Sequence, residues 1–298
     1  MQFLRETKID FVGSRRYAFI FSSVLIFIGI VSLILHGGPR LGIDFEGGTL
    51  IQMKFEYPVT PGEIREVIGK MGFEQSNIQS FGSANEILIR MKVIESQEEI
   101  NKLTEILHES FKDNAFEIRR LEKVGPKIGE ELRGKALLAI ISALLVIIIY
   151  ITVRFEFIFA IGAVVALAHD VMITLGFFSI LNIEISLAVI AAFLTIVGYS
   201  LNDTIVVFDR VRENLKVLRR EAYEDIINTS INQSLSRTVI TSMTTLLVVL
   251  ILYIFGGEVI KNLAFALLIG VVIGTYSSIY VASPVVIRWG SKKEKAKR

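Results

Sequence analysis

The sequence predicts an α-helical polytopic membrane protein with six transmembrane helices and one small α+β domain on a single face of the membrane. Three observations carry this. The 298 residues are 52% hydrophobic with a mean hydropathy of +0.57, far from a soluble composition. Six apolar runs are long enough to span a bilayer. Between the first and second runs lie about a hundred residues whose periodicity is that of a soluble domain.

The six spans are Tyr17–Leu35, Ala136–Val153, Phe157–Leu181, Ile185–Phe208, Val239–Phe255 and Leu263–Ile287. The first follows Arg15 and Arg16, exceeds a signal-peptide core in length and is followed by HGGPRLG rather than a small-residue cleavage site. It reads as an uncleaved anchor. The short connections set the orientation: 17 Lys and Arg fall on one side and only Lys261 on the other. Both termini are therefore expected in the cytoplasm and the long loop outside, in the periplasm. On this reading residues 1–16 are a cytoplasmic N-terminus and 17–35 the first span. Residues 36–135 form the outside domain with its linker, 136–287 hold the remaining spans, and 288–298 are a basic cytoplasmic tail. Between the fourth and fifth spans, apolar residues at 215, 218, 222 and 226 predict an amphipathic surface helix near 211–234.

Within the outside domain TLIQMKFE (49–56) alternates as a strand, and TPGEIREVIGKMG (60–72) opens with a Thr-Pro-x-Glu start and closes on glycine. Two strands follow, SNIQSFGS and EILIRMKV, with a turn expected near Ala84–Asn85. A helix over 96–111 carries a Ser-x-x-Glu capping box, and AFEIRRLEKVG closes as a fourth strand. The order β-α-β-β-α-β is that of a ferredoxin-like split sandwich, a fold that decides no function. His108 reads as a surface histidine. GPKIGEELRGKA (125–136), with its glycines and proline, reads as a hinge or an ordinary linker.

Cysteine is absent, which excludes disulfides, thiolate metal sites and a cysteine nucleophile. Three histidines without HExxH-like spacing give no metal centre, and no Walker loop or GxSxG elbow is present. No catalytic cluster, cofactor or nucleic-acid partner is expected. The unusual residues lie inside the spans. His169 and Asp170 sit mid-way along the third, and Asn202 and Asp203 near the cytoplasmic end of the fourth. An ionised Asp at a helix centre costs roughly 2.5–3.5 kcal/mol on insertion scales. Asp203 lies on the order of 8 Å deep at 1.5 Å per residue, so it calls for a partner.

Arg237, which opens the fifth span from the same side, is the candidate. Thr238, Thr241, Ser242 and Thr245 follow it as a polar stripe. A nearby cation favours an ionised carboxylate while burial favours a neutral one, and a group under both influences suits proton exchange. Asn202, His169 and Asp170 join Asp203 and Arg237 as candidate proton-path residues. Blander readings stand beside this one: Arg237 snorkelling to the interface, Asp203 as a neutral packing residue, His169–Asp170 as a structural pair locking two helices. Gly198 and the Gly270/Gly274 pair read as close-packing positions.

LGIDFEGGTL (41–50), VGPKIGEEL (124–132), RFEFIFA (154–160), ALAHDV (166–171), VGYSLNDTIVVFDRVREN (197–214), SINQSLSRTVITS (230–242) and GTYSSIYVASP (274–284) resemble signature segments of the SecF family. These are membrane subunits of the bacterial SecDF protein-export complex, related to the RND transporters. The resemblance runs the length of the chain and implies an RND-like half that joins a SecD-like partner in the cytoplasmic (inner) membrane. It implies that the subunit uses the proton gradient, with protons as the only coupling ion, to help draw preproteins out of the SecYEG channel. It also implies a proton path through Asp203 and Arg237, and makes the LGIDFEGG loop, with Asp44, Gly47 and Gly48, a structural motif. The competing expectations are half of an RND-type small-molecule exporter, a non-transporting scaffold of the translocase and, remotely, an enzyme.

Overall fold

The computed structural model describes residues 7–94 and 96–295; positions 1–6 and the end of the basic tail, 296–298, lie outside the described residues. In chain order the elements are α1 (Arg15–Leu35), α2 (Ile43–Glu46), β1 (Gly48–Phe55), α3 (Pro61–Gly69), β2 (Asn77–Phe81), β3 (Ser83–Met91), α4 (Gln97–Ser110) and β4 (Phe116–Val124). Then come α5 (Pro126–Arg154), α6 (Phe157–Ile180), α7 (Leu187–Val217), α8 (Tyr223–Phe255), α9 (Glu258–Ser277), a π-helical turn at Ser278–Ala282 and α10 (Ser283–Lys295). The chain divides into two units, Leu41–Leu138 and the residues on either side of that segment.

Leu41–Leu138 holds a four-stranded antiparallel sheet in the order β2-β3-β1-β4. That order is the ferredoxin-like one. One sheet face, with Ile51, Met53, Phe55, Ile87 and Ile89, is buried against Ile64 and Ile68 of α3 and Leu103 and Leu107 of α4. Each such side chain removed from water contributes roughly 1.5–3 kcal/mol. The helix starts follow their caps. The Thr60 hydroxyl accepts from the Glu63 amide at 3.3 Å while the Glu63 carboxylate accepts from the Thr60 amide at 2.8 Å. At Ser96 the hydroxyl accepts from the Glu99 amide at 3.1 Å. His108 is exposed, stacked at 4.3 Å on the Phe116 ring.

Two local expectations need correction in this unit. The β2–β3 turn is not at Ala84–Asn85: Phe81 already pairs with Ser83, and Gly82, at φ +73°, makes the reversal. Residues 126–136 are helical rather than irregular chain, since α5 begins at Pro126 and runs unbroken through them. Gly129 is there because of a close approach: a Cβ on it would lie 3.0 Å from the Gly47 nitrogen.

Six helices among the described residues are long and apolar enough to cross a membrane, the sixth comprising α9, the π turn and α10. This is a membrane protein. In the helical unit α6, α7 and α9 form the interior, α1 and α8 are buried along one side only, and α5 is almost wholly exposed. A cluster around Phe155, Phe159, Phe208, Ile227 and Val286 packs one end, with the Phe159 and Phe208 rings edge-to-face at 4.9 Å. Helix contacts depend on missing side chains. A Cβ on Gly29 of α1 would stand 2.8 Å from Gly176 Cα of α6, and one on Gly274 of α9 would stand 2.8 Å from the Ser200 Cβ of α7. Gly270 likewise lies against Ile196. Gly198 differs from the expectation: it is exposed, with open space where a Cβ would project. Its backbone position on α7 faces away from α9, whose contact falls to Ser200 and Ile196.

No separate amphipathic helix occupies 211–234. α7 continues past the membrane edge to Val217, the chain turns over Leu218–Ala222, and α8 restarts at Tyr223. The apolar positions 215, 218, 222 and 226 therefore belong to two helices and the turn between them. The extensions brace each other: Asn214 donates to the Ser230 hydroxyl and to the Gln233 side-chain oxygen, both at 2.9 Å. Along α8 the amides of Asn228 and Asn232, one turn apart, clasp the backbone of the segment before α1. The Asn228 oxygen accepts from the Phe11 and Val12 amides at 2.9 and 3.2 Å, and the Asn232 oxygen from Ile9 at 2.9 Å. Both side chains donate back to the Ile9 carbonyl, at 3.1 and 2.9 Å.

Candidate functional site

Asp203 points into the helical unit and is 1% exposed. α7 delivers it to a place where α8 and α9 converge, and among the described residues hydroxyls alone hydrogen-bond its carboxylate. Ser242 of α8 donates to Oδ2 at 3.1 Å and Thr275 of α9 reaches the same oxygen at 3.4 Å. The two hydroxyls are 2.7 Å apart, and Thr275 also reaches the carbonyl of Val271 in its own helix at 2.8 Å. A hydroxyl both donates and accepts, so this cage can satisfy the carboxyl with or without its proton. One turn before Ser242, the buried Thr238 hydroxyl has no hydrogen-bond partner among the described residues.

The expected ion pair is not formed. Arg237 is exposed, and among the described residues its guanidinium makes no hydrogen bond or salt bridge. The reason is rotation. Ser242 faces Asp203, and Arg237, five residues earlier at about 100° per residue, is turned roughly 140° around α8. The same five residues set it about 7.5 Å nearer the helix start. Asn202 is not drawn in either: it is exposed, on the other flank of α7 from Asp203.

A second buried carboxylate stands apart from the first. Asp170 of α6, also 1% exposed, accepts from Ser200 of α7 at 2.6 Å and Ser277 of α9 at 2.8 Å on Oδ2, and its Oδ1 lies 2.9 Å from His169 Nδ1. The other ring nitrogen of His169 meets the Ser22 hydroxyl of α1 at 2.9 Å. Ser22 lies 3.0 Å from the Tyr276 hydroxyl, which donates to the Ala18 carbonyl at 2.7 Å. One network thus crosses α1, α6, α7 and α9 with its members mutually satisfied.

Chains of known function match this one along nearly its whole length. Residues 103–292 match the family described as protein export membrane protein SecD/SecF, C-terminal, and residues 32–59 match the SecD/SecF GG motif. The protein translocase subunit SecF of Calditerrivibrio nitroreducens is 49% identical over 286 residues, covering 94% of each chain. That of Escherichia coli O157:H7 is 43% identical over 96% of this chain and 89% of its own. The chain belongs to the SecF family. A crystal structure of SecDF from Thermus thermophilus superposes with a TM-score of 0.88 at 38% identity, over 96% of this chain and 39% of that longer one. A SecDF in a super-membrane-facing form matches with a TM-score of 0.72 at 37% identity. SecF relatives are named as translocase subunits, and this chain is not an enzyme.

The SecF glycine motif follows α2, whose first turn carries the half-buried Asp44. Gly47 at φ +75° and Gly48 at φ +148° occupy backbone regions that side chains avoid. A Cβ on Gly47 would also press on the Pro126 backbone at 3.1 Å, and one on Gly48 on the Met91 carbonyl at 2.9 Å. Sequence reasoning missed Ser22, Ser200, Thr275, Tyr276 and Ser277. The one available signal was the density of hydroxyls in GTYSSIYVAS, within an otherwise apolar span.

Proposed function

We propose that this SecF-family subunit couples the proton-motive force to preprotein export, with Asp203 as the group that binds and releases the proton. The observation that carries the reading is the Asp203 cage, a buried carboxylate hydrogen-bonded by Ser242 and Thr275 and, among the described residues, with no cation in contact. A permanent ion pair would hold the acid in one state; rotatable hydroxyls serve both. Each charge that crosses at 100 mV releases about 2.3 kcal/mol. The working unit pairs this chain with a SecD-like subunit that supplies the other six spans, in line with the SecDF structures it resembles. Its substrates are preproteins leaving the SecYEG channel, which the outer domain meets in the periplasm. Both termini are cytoplasmic, in the inner membrane. Protons are the coupling ion and no further cofactor takes part. Arg237 tunes the site from a distance, and His169–Asp170 locks the bundle rather than carrying the proton.

The test is export into inverted vesicles containing the complex. Asp203→Asn removes the part of export that depends on the gradient while leaving assembly and gradient-independent export intact. Arg237→Ala reduces the same part and Arg237→Lys largely keeps it, since the action is through charge. Undiminished gradient-dependent export by a normally assembled Asp203→Asn complex would refute the proposal.

A further inference from the structure

Ser242 and Thr275 each own a single proton, yet Thr275 stands within bonding distance of three acceptors: Ser242, Asp203 and the Val271 carbonyl. It can serve only one at a time. Which one depends on Asp203. With the carboxyl ionised, Ser242 must donate to Oδ2, its lone pair is then free to accept, and Thr275 donates to Ser242. With the carboxyl protonated, its O–H donates to Ser242, Ser242 donates onward to Thr275, and the Thr275 proton turns to Val271. No proton leaves its hydroxyl; the two rotors reverse together, and the only proton gained or lost is the one on Asp203, exchanged with water.

The two end states differ for α9. A threonine hydroxyl donating to the carbonyl four residues back competes with that carbonyl's own amide bond and bends the helix. The bend would fall at Val271–Thr275, directly before the π-helical turn Ser278–Ala282, an irregular stretch of the kind that marks functional positions in helices. We infer that Thr275 is a positioning residue that reads the protonation state of Asp203 through Ser242 and converts it into curvature of α9. This rests on the proposed role of Asp203 in proton binding. The other titratable groups near Asp203 on α6, α9 and the π turn are otherwise engaged. On α6, His169 and Asp170 bind each other, Ser22, Ser200 and Ser277. On α9, Tyr276 binds Ser22 and Ala18, while Tyr280 of the π turn packs on the Phe11 and Tyr276 rings. Arg237 on α8 is exposed and makes no hydrogen bond or salt bridge among the described residues.

Because the chain has no cysteine, spin labels can be placed at Met243→Cys on α8 and Val272→Cys on α9, both exposed, in the full complex with a cysteine-free partner. The distance distribution between them is expected to shift between acidic and alkaline buffer. Thr275→Val, which keeps the shape and loses the hydroxyl, abolishes the shift; Thr275→Ser restores it; Ser242→Ala, which breaks the chain at its other member, abolishes it as well. A shift that persists in full in Thr275→Val or Ser242→Ala but vanishes in Asp203→Asn overturns the relay and leaves Asp203 as the proton site. A shift that persists in Asp203→Asn overturns both. No shift in the labelled parent overturns the curvature change, with the role of Asp203 still judged by the export assay.

Discussion

Three side chains converge on the Asp170 carboxylate from one flank of its own helix and from two neighbours, so its removal strands donors rather than merely deleting one contact. Ser200 loses its acceptor, Ser277 is left with only the Gly274 carbonyl at 3.1 Å, and His169 loses its Nδ1 partner, all at buried positions. Leaving a buried polar group unpaired costs about 1–3 kcal/mol. Asp170→Ala is therefore expected to destabilise the protein by an amount toward the top of that range, read as a lower thermal midpoint and reduced yield in detergent. Asp170→Asn, which still accepts two hydroxyls on its oxygen, should cost less. The contrast with Asp203 is instructive. There the neutral amide is expected to keep the fold and to lose only the gradient response proposed for it, because among the described residues hydroxyls alone hydrogen-bond the acid.

At the scale of elements, much was legible. Hydropathy runs located all six spans, and the alternation and caps of residues 49–124 gave the strands, the helices and their order. What escaped was rotation. Depth counting put Arg237 level with Asp203, but depth along a helix says nothing about which way a side chain faces, and a turn of roughly 140° separates Arg237 from Ser242. The extensions of α7 and α8 also escaped, since an apolar stripe shared by two helices across a turn has the same spacing as one amphipathic helix. Helix contacts at missing side chains were half legible: Gly270 and Gly274 mark one, Gly198 does not, and Gly29 with Gly176 passed unnoticed. At that last crossing the backbones meet so closely that any side chain forces α1 and α6 apart. Gly29→Leu is expected to destabilise by about 1–3 kcal/mol, the usual cost of overpacking, with faster proteolysis of the detergent-solubilised protein as the readout.

For the whole molecule, the charge asymmetry makes a claim that geometry alone does not. If the positive-inside rule holds, Lys112 of the sheet domain lies outside and Arg219, in the turn between α7 and α8, lies inside. Single cysteines at these exposed positions in this cysteine-free chain give the check. A membrane-impermeant maleimide added to spheroplasts should modify Lys112→Cys at once and Arg219→Cys only after permeabilisation. The reverse pattern would invert the topology and place the sheet domain in the cytoplasm.

The asparagine clasp on α8 carries a consequence for biogenesis. Its two halves are separated by more than 200 residues of chain: Asn228 lies 217 residues beyond Phe11, its bonding partner. At translation rates of about 5–20 residues per second, the Phe11 and Val12 amides wait roughly 10 to 45 s on the ribosome's timetable before their acceptor is made. This early segment is thus fastened only after α1 to α7 have been made, while α9 and α10 are still to come.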